Sequence, residues 1–230
     1  MISGFSYKTL REEVVIILRK RILSGEIKPG ERIKELEISK ELNISRGPVR
    51  EALRQIEQEG LVTYSPNKGC TVKTISPGSM AEAYLIRSTL EILAVKIYSG
   101  KMKKATILKL EKLAEDIGKM AEKNDLNGIV EVDEEFHSLI VREAEVELLF
   151  NIWKDFEGSN AAAYFTMERS NLMPNKYLER NHRMIIDVFK EGDLGKICRV
   201  IQKHYMVVPE DFYKSKNMDP NKILKSYEQS

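Results

Sequence analysis

Three histidines and one aspartate fall at spacings that could assemble a metal site. Within DEEFHSLI, Asp133 and His137 are four residues apart, so on a helix a carboxylate and an imidazole share one face, which Ile140 continues. His182 lies in the series Leu178, His182, Ile185 and Phe189, and His204 in the series Ile197, Ile201, His204 and Val208. Both series are core-facing stripes at helical spacing. The chain's only three histidines thus all point inward. A buried imidazole without a partner loses its hydrogen bonds to water, and a shared metal satisfies several at once. One Asp with three His suits a divalent transition metal such as Zn²⁺, Ni²⁺, Mn²⁺ or Fe²⁺, for all of which neutral imidazole is a ligand.

A second chemistry lies in Ser45 to Gly60, SRGPVREALRQIEQEG. Ser45 is placed to cap a helix, Pro48 is tolerated in its first turn, and Gly60 ends it. Val49, Leu53 and Ile56 recur on one face, while Arg46, Arg50 and Arg54 recur every fourth residue on a neighbouring one. One face packs, and the basic face is free to meet phosphates and base edges. Glu51 and Glu57 offer the arginines intrahelical partners, and for Arg54 a solvated face is the preferred reading.

The elements that must position these groups fall into two parts. Residues 1–75 carry 14 Lys and Arg against 10 Asp and Glu, a net of +4 within a chain whose total is only +2. Nucleic-acid affinity must therefore come from this local segregation of charge. Tyr7 to Ser24 is patterned as an amphipathic helix. Pro29-Gly30 marks a turn before a short extended piece at Arg32 and Ile33, and a helix from about Lys34 to Leu42 ends at Asn43. Two short helices joined by a tight turn, the second capped and bearing arginines, make a helix-turn-helix. LVTY and CTVKT, separated by SPNKG, read as a hairpin wing, with Lys68 at its tip and Gly69 allowing close backbone approach to the sugar edge.

After the linker TISPG the chain is patterned as helices near 77–98, 104–123, 126–144, 147–167, 174–191 and 193–208, an all-helical bundle. The expected organisation is a DNA-binding domain at 1–75, a ligand- and metal-binding bundle at 76–208 and a polar tail at 209–230 with a short helix near Asn221 to Tyr227. The fold class is mainly α. Cys70 and Cys198 match neither a thiolate metal site nor a disulfide framework, and the start MISGFSYKTL lacks a signal-peptide core. No apolar run approaches the roughly 20 residues that span a bilayer. A cytoplasmic protein without a membrane partner is expected.

The front part closely resembles the winged helix-turn-helix of GntR-type transcription regulators. The resemblance rests on Ile27 to Glu31, on the run Ser45 to Leu53, on Glu59-Gly60-Leu61-Val62 and on Gly69. It implies that Arg46 and Arg50 contact DNA together with the helix N-terminal residues Ser45 and Gly47 and the wing tip. Leu36 stands where some members carry a further DNA-contacting arginine. The rest looks like the FCD ligand-sensing domain of the FadR-like branch, with Asp133, His137, His182 and His204 matching its metal positions. By that resemblance Arg87, in IRSTLE, would anchor a small carboxylate effector by its bidentate fork, Glu91 at i+4 being its alternative partner. Leu85 replaces an acidic residue common in that family two positions earlier.

The resemblance implies an effector-responsive homodimer on a roughly palindromic double-stranded operator, with repression relieved by ligand the commoner behaviour. The competing reading is a metalloenzyme acting on a small organic acid, in which an open coordination position activates water. Against it, the candidate bases Glu134 and Glu135 are expected off the Asp133/His137 face. A purely structural metal is a third reading.

Overall fold

In a computed structural model the described residues are 9–23, 26–58, 60–65, 69–73, 76–172, 177–215, 217 and 219. The chain separates into two compact units, Met1–Thr74 and Ile75–Ser230.

The first unit contains α1 (Leu10–Leu23), β1 (Arg32–Ile33), α2 (Glu35–Glu41), α3 (Arg46–Gln58), β2 (Val62–Ser65) and β3 (Gly69–Val72). Val14, Leu18 and Ile22 of α1 and Val49, Leu53 and Ile56 of α3 are buried, and the two helices pack together. Between α2 and α3 the chain reverses at Asn43, φ 53°. There the Asn43 N–H donates to the Lys40 carbonyl and the Ile44 N–H to the Ser39 carbonyl. Those two bonds satisfy the last carbonyls of α2 and need a left-handed residue, which Asn tolerates. Gly60, φ 76°, repeats the lock after α3, with Gly60 N–H on Glu57 and Leu61 N–H on Ile56.

The strands form one antiparallel sheet in the order β1-β3-β2, with Ile33 and Tyr64 both opposite Cys70. The extended piece at Arg32 is thus the wing's third strand. The hairpin turn itself, including Lys68, lies outside the described residues.

The second unit contains α4 (Pro77–Ile97), α5 (Lys104–Glu122), α6 (Leu126–Arg142), α7 (Glu147–Lys154), α8 (Glu157–Arg169), α9 (Leu178–Glu191) and α10 (Leu194–Ser215). α4 packs on α10 and α6, and α5 on α6 and α9, around a core that includes Met80, Leu110, Phe136, Ile140, Ile185, Ile197 and Ile201. Ser76 caps α4 by accepting from the Ser79 N–H, and Asp125 caps α6 by accepting from Gly128.

Two boundaries differ from the pattern. The single helix expected at 147–167 is two, because Phe156 takes φ −92° and ψ 0° and breaks the ladder. The last helix does not stop at 208 but runs through Pro209 to Ser215. An interior proline costs about 3 kcal/mol. Burial of Phe212 and Tyr213 beyond it, at about 2 kcal/mol or more each, offsets that cost. The tail helix expected near 221–227 lies outside the described residues.

Candidate metal centre and DNA-reading face

α6 presents Asp133 and His137, α9 presents His182 and α10 presents His204, and one ligand atom from each lies within 4.8 Å of the other three. Hydrogen bonds behind these groups decide which atoms face inward. His182 Nδ1 donates to the Leu178 carbonyl at 2.8 Å, which turns Nε2 toward Asp133 Oδ1, 3.0 Å away. His137 Nδ1 sits 3.0 Å from Glu91 Oε2, leaving its Nε2 aimed at His204 Nε2 at 3.1 Å. With Nδ1 committed in both rings, the Nε2 lone pairs converge, the arrangement that fixes histidine tautomers in metal sites. Between His182 Nε2 and Asp133 Oδ1, two acceptors at contact distance, a cation or a proton must stand.

Asp133 is held from behind as well. Tyr164 donates to its Oδ1 at 2.7 Å and Asn160 to its Oδ2 at 3.0 Å, and Tyr84 donates to Asn160. Burial pushes the Asp133 carboxyl up, but His182, His137 and Asn160 outweigh it and hold it well below the usual carboxylate range. For His137, burial lowers the imidazole while the Glu91 carboxylate raises it, with a net upward shift. Burial and the neighbouring His182 and His137 drive His204 well below an ordinary imidazole, so it is a neutral donor. His204 Nδ1 is buried and has no partner among the described residues. Beside the four groups is a cavity of about 30 Å³, lined among others by Asn181, Tyr164 and Tyr205. It has room for an ion or a water, not for an organic acid.

Arg87 lies in the same interior but not with Glu91. Glu91 is taken by His137 and by the Tyr205 hydroxyl, which donates to it at 2.7 Å. Arg87 instead pairs with Glu134, donates to Tyr205 at 3.3 Å and stacks over Trp153 at 4.1 Å. Glu134, expected off the Asp133/His137 face, contacts none of the four donors directly but still turns inward onto Arg87, with Asn160 between it and Asp133. Arg87 NH1 and Glu134 Oε1 are buried without a partner among the described residues. Asn160, Tyr164 and Tyr205 are thus groups around the site that pattern reading passed over, while Glu91 and Glu134, singled out for other roles, meet His137 and Arg87. The spacing of Asn160 and Tyr164, one helical turn apart, was the available signal, masked by the unrecognised break at Phe156.

On the first unit, Ser45, Arg46, Gly47 and Arg50 are exposed along the first half of α3, and Leu36 is exposed on α2. The arginines pair with neither Glu51 nor Glu57. Both reach Glu35 on α2, Arg46 at 3.0 Å and Arg50 at 3.2 Å. Gly69 has φ +77°, and the Arg32 guanidinium lies 3.3 Å from where a Cβ would stand, so any side chain there would be strained. No helix among the described residues is long and apolar enough to cross a membrane.

Residues 10–72 match the family "Bacterial regulatory proteins, gntR family", and residues 82–206, more than half the chain, match the "FCD domain". The HTH-type transcriptional repressor RspR of Escherichia coli K12 is 24% identical over 87% of this chain and 88% of its own length. The HTH-type transcriptional regulator YdhC of Bacillus subtilis is 35% identical over 54% of this chain and 56% of its own. Among solved structures, Escherichia coli McbR/YncC superposes with a TM-score of 0.72 at 20% identity, covering 90% of this chain and 100% of that one. A GntR regulator from Rhodococcus sp. RHA1 reaches 0.74 at 21% identity over 89% and 97%. At such identities the structural likeness speaks for the fold, and the sequence matches supply the rest: this chain belongs to the GntR-type transcription regulators that carry an FCD domain.

Proposed function

We propose that this regulator is a metal-containing homodimer that senses a small carboxylate in its helical unit and represses transcription from a roughly palindromic operator. The observation that carries the metal reading is charge. Glu91 is 0% and Arg87 2% exposed, Asp133 is buried, and Glu134 sits behind Arg87. Three carboxylates against one guanidinium leave a formal −2 in a low-dielectric interior when the imidazoles are neutral, and a divalent cation brings it to zero. Asp133, His137, His182 and His204 would hold the ion, with Glu91, Tyr164 and Asn160 orienting them. Zn²⁺, Ni²⁺, Mn²⁺ and Fe²⁺ all suit that donor set, and the ion would leave a coordination position for an effector carboxylate.

Charge also decides how an acid enters. Arg87 already carries the Glu134 carboxylate on one terminal nitrogen, so an effector carboxylate that takes the fork of both displaces Glu134, exchanging one anion for another. Binding alters operator affinity only to the extent that the acid prefers one arrangement of the protein.

On the DNA side, the exposed half of α3 enters the major groove with Ser45, Arg46, Gly47 and Arg50. Lys68 and Gly69 of the wing meet the backbone or minor groove. Dimerisation is supported by apolar side chains left exposed on two packed helices, Ile86, Leu93 and Ile97 on α4 and Leu148 and Ile152 on α7. We read the chain as non-catalytic, since both acids beside the donors are engaged, Glu91 by His137 and Tyr205 and Glu134 by Arg87.

The test is operator binding by fluorescence anisotropy, using a duplex selected from a random library, with the metal present or chelated and with acetate, malonate or citrate added. A metal-dependent response to one of the acids is expected, and Arg46→Ala should abolish specific binding. Unchanged operator affinity in that variant, or an acid response indifferent to chelation, would overturn the assignment.

A further inference from the structure

Glu35 opens α2 and is exposed over only 12% of its side chain, although its neighbours Leu36 and Glu37 are out in solvent. Its carboxylate lies between two exposed arginines one helical turn apart on α3. Oε2 accepts from Arg46 at 3.0 Å and from Arg50 at 3.2 Å, and Arg50 Nε adds a bond to Oε1 at 3.3 Å. A first-turn acid favours its own helix dipole, and an exposed ion pair contributes little stability, so neither explains one carboxylate spanning two guanidiniums of another helix. We propose that Glu35 is a positioning residue that sets DNA discrimination: it holds Arg46 and Arg50 in a common orientation at the groove and cancels part of their charge toward non-specific phosphates.

The inference rests on the reading of α3 as the DNA-reading helix. Arginine is a long, rotamer-rich side chain, so a guanidinium tethered before binding loses less freedom when it meets a base edge. Phosphate attraction is the part of affinity that carries no sequence information. A negative charge beneath the two arginines reduces that part and leaves the oriented contacts. Both effects widen the gap between operator and random DNA.

The experiment measures full-length protein on the library-selected duplex and on a random duplex of equal length, across a salt series. Glu35→Gln keeps an acceptor but loses the charge. Each phosphate neutralised adds about 0.9 to the slope of log K against log salt, so one uncovered charge tightens random DNA by about eightfold at 0.1 M salt for each head that binds. Operator affinity should stay level or fall, so discrimination drops by about tenfold or more. Glu35→Asp, which keeps the charge but is too short to span both arginines, should lose discrimination without the gain on random DNA. Glu37→Gln removes the same charge from an exposed site on α2 that pairs with Lys34 and should leave discrimination unchanged.

Equal weakening of both duplexes by Glu35→Gln, at unchanged thermal stability, would mean a merely structural role. So would discrimination within twofold of wild type in both Glu35 variants. A Glu37→Gln effect equal to that of Glu35→Gln would assign the result to bulk charge. Each of these overturns the proposal. Wild-type discrimination in Arg46→Ala would instead remove the reading of α3 beneath it.

Discussion

Asp133→Asn should make the metal-loaded protein less stable and the chelated protein more stable than wild type, so that the two rank in opposite orders. The replacement is nearly isosteric. An amide whose nitrogen takes the place of Oδ1 can donate to His182 Nε2, 3.0 Å away, and to the Tyr164 hydroxyl oxygen, 2.7 Å away, while its oxygen takes the place of Oδ2 and accepts from Asn160. In wild type without metal, a proton must stand between the two acceptors His182 Nε2 and Asp133 Oδ1, and the carboxylates of Glu91, Asp133 and Glu134 outnumber Arg87 by two. The substitution removes one of those charges and the need for that proton. With metal the order inverts, because the site loses its only anionic ligand. An ion held at about a thousandfold over its Kd stabilises the fold by about 4 kcal/mol. At roughly 2–4 °C per kcal/mol for a chain of this size, chelation should lower the wild-type Tm by roughly 8–16 °C. The variant should shift by much less. The assay is thermal unfolding with and without EDTA, beside elemental analysis for bound metal. Equal chelation shifts in the two proteins would place any metal elsewhere, and no shift in either would refute the charge argument.

Other consequences follow from single positions. Leu148, 71% exposed on α7, should tolerate Glu without loss of fold, while sedimentation velocity shows the dimer shifting to monomer. A variant that remained dimeric would exclude the α4–α7 face. Asn43→Val should destabilise the first unit by about 1–2 kcal/mol in denaturant titration, because a β-branched residue resists φ 53°, whereas Asn43→Gly should not. Burial pushes the Cys70 thiol up to about 12. At pH 8 its thiolate is on the order of one part in ten thousand, so iodoacetamide should label Cys198, half-exposed, well before Cys70, and early labelling of Cys70 would contradict its packing.

Periodicity determined a good deal of this molecule by itself. The stripes through His137, His182 and His204 say which face of each helix carries an imidazole, because 3.6 residues per turn ties spacing to direction. Asn43 and Gly60 mark where α2 and α3 end, because few residues enter the left-handed region without strain. The run from Ser45 to Leu53 carries its cap, its packed face and its basic face within a few turns. Those are local properties, and local sequence encodes them.

What tertiary structure decided is which inward group meets which. Glu91 had Arg87 within one turn yet pairs with His137, 46 positions away, and Arg87 turns to Glu134. Glu35 meets Arg46 and Arg50 across two helices, although each arginine had an acid on its own helix. An intrahelical i,i+4 pair contributes only a few tenths of a kcal/mol, so packing between helices overrides it readily. The break at Phe156 and the continuation through Pro209 have the same origin. Gly158, two residues past the first, lies inside α8 and does not place the break, and a proline argues against the second, but burial of Trp153 beside Arg87 and of Phe212 and Tyr213 beyond Pro209 outweighs the local preference. Spacing along the chain sets the direction of each side chain, and only the packed helices select its partner.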